Sequence, residues 1–307
     1  MATLCLLLHA NGLNRRVWGP FAAKLAAQHR VPLEERAAPR KEASIWRLGN
    51  LWLAALDLLG HGEAAPLQLA GVETDWMQFR HHVDGFLVEC LSCLPEAPKE
   101  VVAIGHSLGG GVLLLTQAFA QKQRFSRIFI FEPMWLFVEQ HLLKLLNLPE
   151  MPSSDRMASP LIAKTFRRRS EWPSRQEAVE DLSKKQFFAT WDKQMFQAYL
   201  DGGLIGDKPC TLACAPKTEA TIFLSGVPRA LLQRLRSPDG LHGCQLEVSI
   251  GTNTTWTPQA AEALFGALRP TACIKVEPGG HMWPMECPAD FARCPAVLSL
   301  SSLNSRL

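Results

Sequence analysis

The segment with the clearest chemical potential is a serine enclosed by glycines. Gly105–Gly109 reads Gly-His-Ser-Leu-Gly, follows the apolar run Val101–Ile104, and precedes a helix-like segment, Val112–Gln121. Small residues beside a serine allow a tight, strained turn that lifts its hydroxyl above a sheet. Free N–H groups at the start of the next helix favour a developing negative charge. The pattern predicts that Ser107 is a nucleophile.

A serine nucleophile needs a base that takes its proton, an acid that orients this base, and an oxyanion hole. His281 is the candidate base. It lies after the last predicted strand, in Gly279–Pro288, where two glycines let the loop fold back over the edge of a sheet. It also comes late in the chain, in the order serine, acid, histidine.

The amino-acid composition limits the classes of protein to which this chain can belong. The chain has 307 residues, 47% hydrophobic and 20% charged, as expected for a globular protein with a sizeable core. Its net charge of +3 is spread along the chain, so no nucleic-acid partner is expected. No apolar stretch approaches the roughly 20 residues of a membrane span. The apolar start, Met1–Leu8, runs straight into a motif and is interpreted as a strand, not a signal peptide.

The nine cysteines are scattered and odd in number, which favours free thiols in a reducing compartment. Neither Cys90-x-x-Cys93 nor Cys210-x-x-x-Cys214 has a Cys/His pair at matching spacing nearby, so no metal site is expected. No organic cofactor is expected either, because acyl transfer by a serine requires none.

Strand-like and helix-like segments alternate over much of the chain. The predicted strands are Thr3–Leu8, Leu51–Leu56, Val101–Ile104, Ile128–Phe131, Gln245–Ile250 and Cys273–Val276. Strands separated by helical patterns predict a parallel sheet covered on both faces. The intervening stretch Leu33–Arg47 is charged and irregular.

The alternation of strand-like and helix-like segments stops from Pro133 to about Glu219. Apolar residues there fall at helical spacing with Trp and Phe interleaved, and no strand is evident. This predicts a helical cap insertion at 133–219, between a first core part, 1–132, and a second, 220–307. Trp135, inside this segment, and Trp283, near the candidate base, suggest an apolar substrate pocket. Aromatic residues at such spacing more often pack a cap on a core.

Four motifs resemble those of the α/β-hydrolase superfamily and extend over nearly the whole length. They are His9–Gly12, Asp57-x-x-Gly60-His61-Gly62, Gly105–Gly109 and Gly280–Pro288. Gly105–Gly109 resembles the turn that carries the nucleophile in this superfamily and is called the elbow below. The chain looks similar to cap-bearing lipase and esterase members found among fungal and peroxisomal hydrolases. The resemblance implies an α/β fold with a mostly parallel, helix-flanked sheet. We expect about six strands where a full member has eight, because the chain starts at the strand before the first loop motif.

The resemblance also bears on the acid, which family members commonly carry after the penultimate strand. Here that stretch, Val248–Thr255, holds no carboxylate. Some members place the acid after the strand that follows the elbow helix, and this strand ends in Phe131-Glu132-Pro133. Glu132 is therefore the candidate acid, with Asp239 as the fallback and Asn253 as a weaker, neutral alternative. A solvated or helix-capping carboxylate is the alternative interpretation of Glu132.

On the same resemblance, the backbone N–H groups of Asn11 and Leu108 form the oxyanion hole. Ala10 occupies a slot where the family usually has glycine, and its Cβ restricts the turn. The remaining motif residues have structural interpretations. Asp57 and His61 brace a loop, His9 shapes the oxyanion loop (His9–Asn14), and His106 packs beside the nucleophile.

A serine at the elbow makes an acyl-enzyme, so the expected function is a serine hydrolase acting on esters, as in lipases and esterases. An acyl-CoA thioesterase is the rival enzyme, with Arg167–Arg169 as candidates for CoA phosphates, although such a triplet is more often a solvated helix face. A carbon–carbon bond hydrolase is also compatible. A non-catalytic binding protein of the same fold is the rival from another class.

The tripeptide Ser305-Arg306-Leu307 matches the Ser-Lys-Leu type of peroxisomal address. It predicts an import receptor as partner and the peroxisomal matrix as location, with the cytosol as the alternative. No basic residue directly precedes the tripeptide to strengthen the match.

Overall fold

A computed structural model describes residues 2–67, 76–134, 160–225, 229–235, 237, 239–254 and 272–300. Its centre is an eight-stranded sheet in which six neighbouring strands run parallel, whereas the two strands at one edge are antiparallel to their neighbours. The expectation of an α/β fold with a mostly parallel sheet is confirmed.

The strands of this sheet are β1 Thr3–Leu8, β2 Glu34–Arg36, β3 Ala43–Leu48, β4 Leu51–Leu56, β5 Glu100–His106, β6 Arg127–Phe131, β10 Gln245–Gly251 and β11 Ala272–Glu277. They lie side by side in the order β11-β10-β6-β5-β1-β4-β3-β2, with β3 and β2 at the antiparallel edge. Helices that pack on it are α1 Trp18–His29, α2 Trp76–Cys93, α3 Leu108–Ala118, α8 Arg229–Leu235, α9 Trp283–Glu286, α10 Pro288–Arg293 and α11 Pro295–Leu300. Short 3-10 helices lie at Arg15–Val17 and Gly62–Ala64.

The predicted strand number was wrong by two. The stretch expected to be irregular, Leu33–Arg47, supplies most of β2 and β3 at one edge of the sheet. β2 reads Glu-Glu-Arg and is fully exposed, so it carries no apolar signal. Charged residues are common on edge strands, because they discourage pairing with another chain. The chain thus forms the antiparallel edge after α1, not before β1.

Successive side chains of each strand point to opposite faces of the sheet and pack in two apolar layers, one on each face. One layer, on the α2 and α3 side, contains Leu4, Leu6 and Leu8 of β1. The other contains Cys5 and Leu7 and packs against α1 and α10. Because both faces are covered, strands such as β1 and β4 are buried at every residue, which explains their continuous apolar character.

Residues 160–225, called the cap segment below, contain α4 Pro160–Phe166, α5 Arg175–Ser183, α6 Lys193–Gly203, α7 Pro216–Ser225 and a 3-10 helix at Gln186–Phe188. They also contain a small sheet of β7 Glu171–Trp172, β8 Leu204–Ile205 and β9 Cys210–Leu212. The expectation of a strand-free insertion was therefore wrong. These strands are two or three residues long, too short to leave a period in the sequence.

Trp135 lies outside the described residues. The same holds for the C-terminal tripeptide. In the part of the chain that the structure describes, none of the helices combines the length and apolar character needed to cross a bilayer.

Candidate active site

Ser107 occupies the turn between β5 and α3. Its φ of 53° and ψ of −113° lie outside the regions that a non-glycine residue normally adopts. Such a conformation costs about 1–3 kcal/mol and persists only where the surroundings enforce it. Here the Ser107 carbonyl accepts hydrogen bonds from the N–H groups of Gly111 (3.2 Å) and Met134 (3.1 Å). The buried strand and the helix therefore hold the serine in a strained geometry.

Gly109 explains why this turn needs small residues. β1 and β5 are neighbours in the sheet, so the loop after β1 meets the start of α3. The Gly109 N–H donates to the His9 carbonyl at 3.1 Å. A Cβ on Gly109 would overlap the Leu8 main-chain oxygen far inside contact distance. Only glycine permits the oxyanion loop to approach the elbow this closely.

The candidate base and acid meet in the structure. His281 Nδ1 lies 3.3 Å from Glu132 Oε2. Glu132 is fully buried, whereas the His281 side chain is 32% exposed. With Nδ1–H donating to the carboxylate, Nε2 remains free to accept a proton. Among the described residues no hydrogen bond joins His281 to the Ser107 hydroxyl, so the base–acid contact is formed and the nucleophile–base contact is not.

The topology explains why an acid after β6 reaches a histidine after β11. β10 lies between these two strands, and its end is occupied by the His281 loop, where the Asn253 N–H donates to the Gly279 carbonyl at 2.8 Å. Glu132 leaves β6 with a φ of 48°, a second strained residue at the site. Its own N–H donates to the Ser249 carbonyl of β10 at 2.8 Å. The chain thus turns toward β10 and His281.

Glu132 receives two further hydrogen bonds, from groups that the sequence did not single out. The Gly251 N–H donates to Oε1 at 2.7 Å, and the Thr254 hydroxyl donates to Oε2 at 2.9 Å. Thr254 lies in the stretch where a carboxylate was sought and not found. It supports an acid from a neighbouring strand instead of supplying one. The carboxylate and its donors together hold the imidazole in one orientation.

His106 anchors the other side of the His281 loop. Its Nε2–H donates to the His281 carbonyl at 2.8 Å, and the two rings lie 5.0 Å apart. Burial lowers the pKa of His106 well below its ordinary value, and the neighbouring His281 lowers it further. His106 is therefore neutral and does not oppose a positive charge on His281. The expected packing role beside the nucleophile thus includes a specific hydrogen bond.

The candidate oxyanion donors follow the two adjacent strands β1 and β5. The main-chain N–H groups of Asn11 and Leu108 donate to no partner among the described residues. Leu108 is the first residue of α3, so its N–H points out of the helix start. Free donors of this kind can stabilise a developing oxyanion.

Buried histidines brace the loop that contains Asn11. His9 Nε2 accepts from the Leu58 N–H at 3.0 Å, and His61 Nε2 lies 3.0 Å from the Gly12 nitrogen. Burial lowers the pKa of His9 to about 4 and that of His61 to about 3. Both rings are therefore neutral near pH 7 and act as fixed hydrogen-bonding groups.

Asp57 is a structural residue in this geometry. It is completely buried, accepts from the N–H groups of Arg15 (2.6 Å) and Glu63 (2.9 Å), and forms an ion pair with the Arg15 guanidinium. The pair ties the 3-10 helix after the oxyanion loop to the end of β4. Removing one partner of such a buried pair costs about 3–5 kcal/mol.

Other expected site residues lie elsewhere. Trp283 is buried, with its ring centroid 5.5 Å from those of Phe131 and Phe291, so it is a core residue and its assignment to a substrate pocket is corrected. The fallback acid Asp239 is exposed and, within the part of the chain that the structure describes, forms neither a hydrogen bond nor an ion pair with His281. Within the described residues no group of three His, Cys, Asp or Glu side chains could hold a metal ion.

Comparisons with known proteins bear on the family and the fold of the chain. A family model described as the Alpha/beta hydrolase family matches residues 5–294. The curated abhydrolase domain-containing protein AKT2 of Alternaria alternata is 26% identical over 110 residues, 36% of this chain and 36% of that protein. The match therefore spans only about a third of the length of this relative.

Solved structures share the fold at low identity. The peroxisomal α/β-hydrolase Lpx1 from Saccharomyces cerevisiae superposes with a TM-score of 0.72 and 19% identity, over 97% of this chain and 76% of that one. A thioesterase domain from the curacin biosynthetic pathway gives 0.65 and 16%, over 98% and 92%. The enol-lactonase from Burkholderia xenovorans LB400 gives 0.57 and 15%, over 98% and 91%. With the family match covering most of its length, the chain belongs to the alpha/beta hydrolase family.

Proposed function

We propose that the protein is a serine hydrolase that cleaves carboxylic esters through an acyl-enzyme. Membership of the family supports hydrolase activity in general. Ester cleavage by an activated serine is supported by the 3.3 Å contact between His281 Nδ1 and Glu132 Oε2, together with the strained Ser107 that follows β5. A buried carboxylate that orients a partly exposed imidazole is the arrangement a general base requires.

In the proposed mechanism Ser107 Oγ attacks the acyl carbonyl carbon while His281 Nε2 accepts its proton. Glu132 stabilises the imidazolium and keeps the proton on Nδ1. The N–H groups of Asn11 and Leu108 donate to the oxyanion, which returns its electrons as the alkoxide leaves and takes the proton from His281 Nε2. Water then attacks the acyl-enzyme by the same steps and releases the acid and Ser107.

Labelling of the purified protein by a fluorophosphonate probe tests this proposal. Wild type should be labelled, Ser107→Ala should not, and Ser249→Ala should be labelled like wild type. Ser249 is a matched control because it is also buried near the carboxyl end of a parallel strand, β10, two strands away from β5, and its hydroxyl has no hydrogen-bond partner among the described residues. A folded wild type that stays unlabelled would favour the non-catalytic binding protein.

An acyl-CoA thioesterase is the second candidate, and the likeness to a thioesterase domain favours keeping it. In Arg167–Arg169, fewer guanidinium groups are available to bind CoA phosphates than the sequence suggests, because two of them already have partners in the structure. Arg168 forms an ion pair with Glu219, and the Arg169 guanidinium lies 5.4 Å from the centre of the Trp172 ring. Arg167 is exposed. Arg167→Met should raise KM for an acyl-CoA and leave a p-nitrophenyl ester unaffected if CoA is the leaving group.

Residues 133–219 as a cap and the peroxisomal matrix as location are parts of the same proposal. The location rests on Ser305-Arg306-Leu307. A fluorescent protein fused upstream of the chain should colocalise with a peroxisomal marker and become cytosolic when these three residues are deleted. An unchanged distribution after the deletion would refute the import-receptor contact.

A further inference from the structure

The oxyanion loop, His9–Asn14, contacts the cap segment as well as the sheet. The Asn11 side-chain Nδ2 donates to the main-chain carbonyl of Glu219 in α7 at 3.0 Å. The Asn14 Nδ2 donates to the main-chain carbonyl of Tyr199 in α6, also at 3.0 Å. Two helices of the cap segment therefore fix the loop that carries a candidate oxyanion donor.

The side chain of Glu219 lies directly over this loop. Gly12 has a φ of +77°, and a Cβ built on it would come within 2.8 Å of Glu219 Oε1. Glu219 is only 7% exposed, so its carboxylate occupies the space that a side chain at position 12 would need. The residue that donates to the Glu219 carbonyl, Asn11, is the immediate neighbour of Gly12. Glu219 thus meets the loop at two consecutive residues, through its carbonyl at Asn11 and through its carboxylate over Gly12.

Arg168, which follows α4, supplies the charge that permits this burial. Its Nη2 forms an ion pair with Glu219 Oε2. Burial raises the pKa of Glu219, and the Arg168 guanidinium opposes this shift. Tyr199 and Cys214 are the other titratable side chains that interact electrostatically with Glu219, and neither can carry a positive charge. Arg168 is therefore the cation that balances the carboxylate. A buried carboxylate needs such a partner, because an unpaired charge is strongly disfavoured away from water.

We propose that Arg168 and Glu219 are positioning residues for the oxyanion hole. The ion pair holds α7 against the oxyanion loop, and the Asn11 side chain passes this constraint to the Asn11 N–H. Docking of the cap segment and assembly of the oxyanion hole are then one event. The inference rests on the proposed serine hydrolase activity. It predicts an effect on kcat, because the oxyanion forms after substrate binding.

The experiment measures kcat and KM on a p-nitrophenyl ester, and the rate of labelling by the fluorophosphonate, for wild type and variants. Loss of a whole oxyanion donor typically lowers kcat by about 100- to 1000-fold. A displaced donor should cost less, and we expect Arg168→Met to lower kcat by about tenfold or more, with KM within about threefold. Arg168→Lys keeps the charge and should recover part of the loss.

Two further variants make the result decisive. Arg168→Met leaves the Glu219 carboxylate buried and unpaired, so Arg168→Met/Glu219→Gln is measured beside it. The double variant removes both charges, should fold, and should still show the reduced kcat. Arg169→Met is the matched control: it removes the same charge from the adjacent, exposed residue and should match wild type.

Each outcome decides the inference. A kcat in the folded double variant equal to that of Arg169→Met would overturn it and leave the serine hydrolase proposal intact. A rise in KM alone would also overturn it, because Arg168 would then bind substrate. If wild type neither turns over the ester nor reacts with the probe, the proposed function fails and this inference falls with it.

Discussion

Replacing Glu132 by Gln tests the proposed site most directly, because its hydrogen bonds define what the amide can do. Oε1 accepts from the Gly251 N–H, and Oε2 faces the Thr254 hydroxyl and His281 Nδ1. A Gln NH2 in place of Oε1 would oppose the Gly251 donor at 2.7 Å and leave two buried donors unpaired. The amide will therefore place its oxygen toward Gly251 and its NH2 toward His281.

In that orientation the NH2 donates, so His281 must present a bare Nδ1 and carry its proton on Nε2. An imidazole with this tautomer cannot take the proton of Ser107. In a serine protease with the same roles, the corresponding acid-to-amide change lowers kcat by about 10⁴. We expect kcat to fall by about 10³–10⁴ in Glu132→Gln, or about 4–5.5 kcal/mol of transition-state stabilisation.

The assay is initial-rate hydrolysis of a p-nitrophenyl ester, with thermal unfolding measured on the same samples. Asp239→Asn is the control, since Asp239 is exposed and was the fallback acid, and it should retain the wild-type kcat. A folded Glu132→Gln variant that loses less than about tenfold, or a large loss in Asp239→Asn, would refute the assignment of the acid.

The remaining predictions concern the elbow and its supports. Gly109→Ala should lower the free energy of unfolding by about 3 kcal/mol in urea titrations, because its Cβ overlaps backbone, whereas Gly19→Ala in α1, with only an ordinary contact at 3.8 Å, should not destabilise. Burial lowers the pKa of His9 from 6.5 to about 4, so the unfolded state binds the proton first as pH falls. The His9 ring should by itself lower stability by about 2–3 kcal/mol between pH 6.5 and 4.5, and the pH-dependent loss in His9→Gln should be smaller than that of wild type by this amount. His106→Phe removes the 2.8 Å hydrogen bond to the His281 carbonyl and should lower kcat about tenfold at unchanged KM; a variant that loses only thermal stability would contradict this.

The sequence determined the fold class through its strongest signals. β1 and β4 were predicted at Thr3–Leu8 and Leu51–Leu56, where the structure has them, because strands buried on both faces are continuous apolar runs. The glycines around Ser107 likewise identified the elbow, because a close backbone approach excludes larger residues and so leaves a sequence signature. Burial and steric exclusion act on residue type, and residue type is what a sequence records.

Other features left no such record. The edge strand β2 consists of exposed charged residues, and β7, β8 and β9 have two or three residues each, so neither a period nor an apolar run marks them. Trp283 has the same type and spacing whether it faces a pocket or the core. Only its packing against Phe131 and Phe291 distinguishes the two.

For the candidate site, too, some features could be predicted from the sequence and others depended on the tertiary structure. The sequence by itself determined the types of group, namely a serine in a strained turn, a histidine on a glycine loop and a carboxylate after β6. Only the tertiary structure decided their partners, because the contact of Glu132 with His281 joins residues 149 positions apart. The same holds for the contact of Asn11 with Glu219, 208 positions apart. Such contacts depend on the order of strands in the sheet and on where the cap segment packs, and no local pattern encodes either.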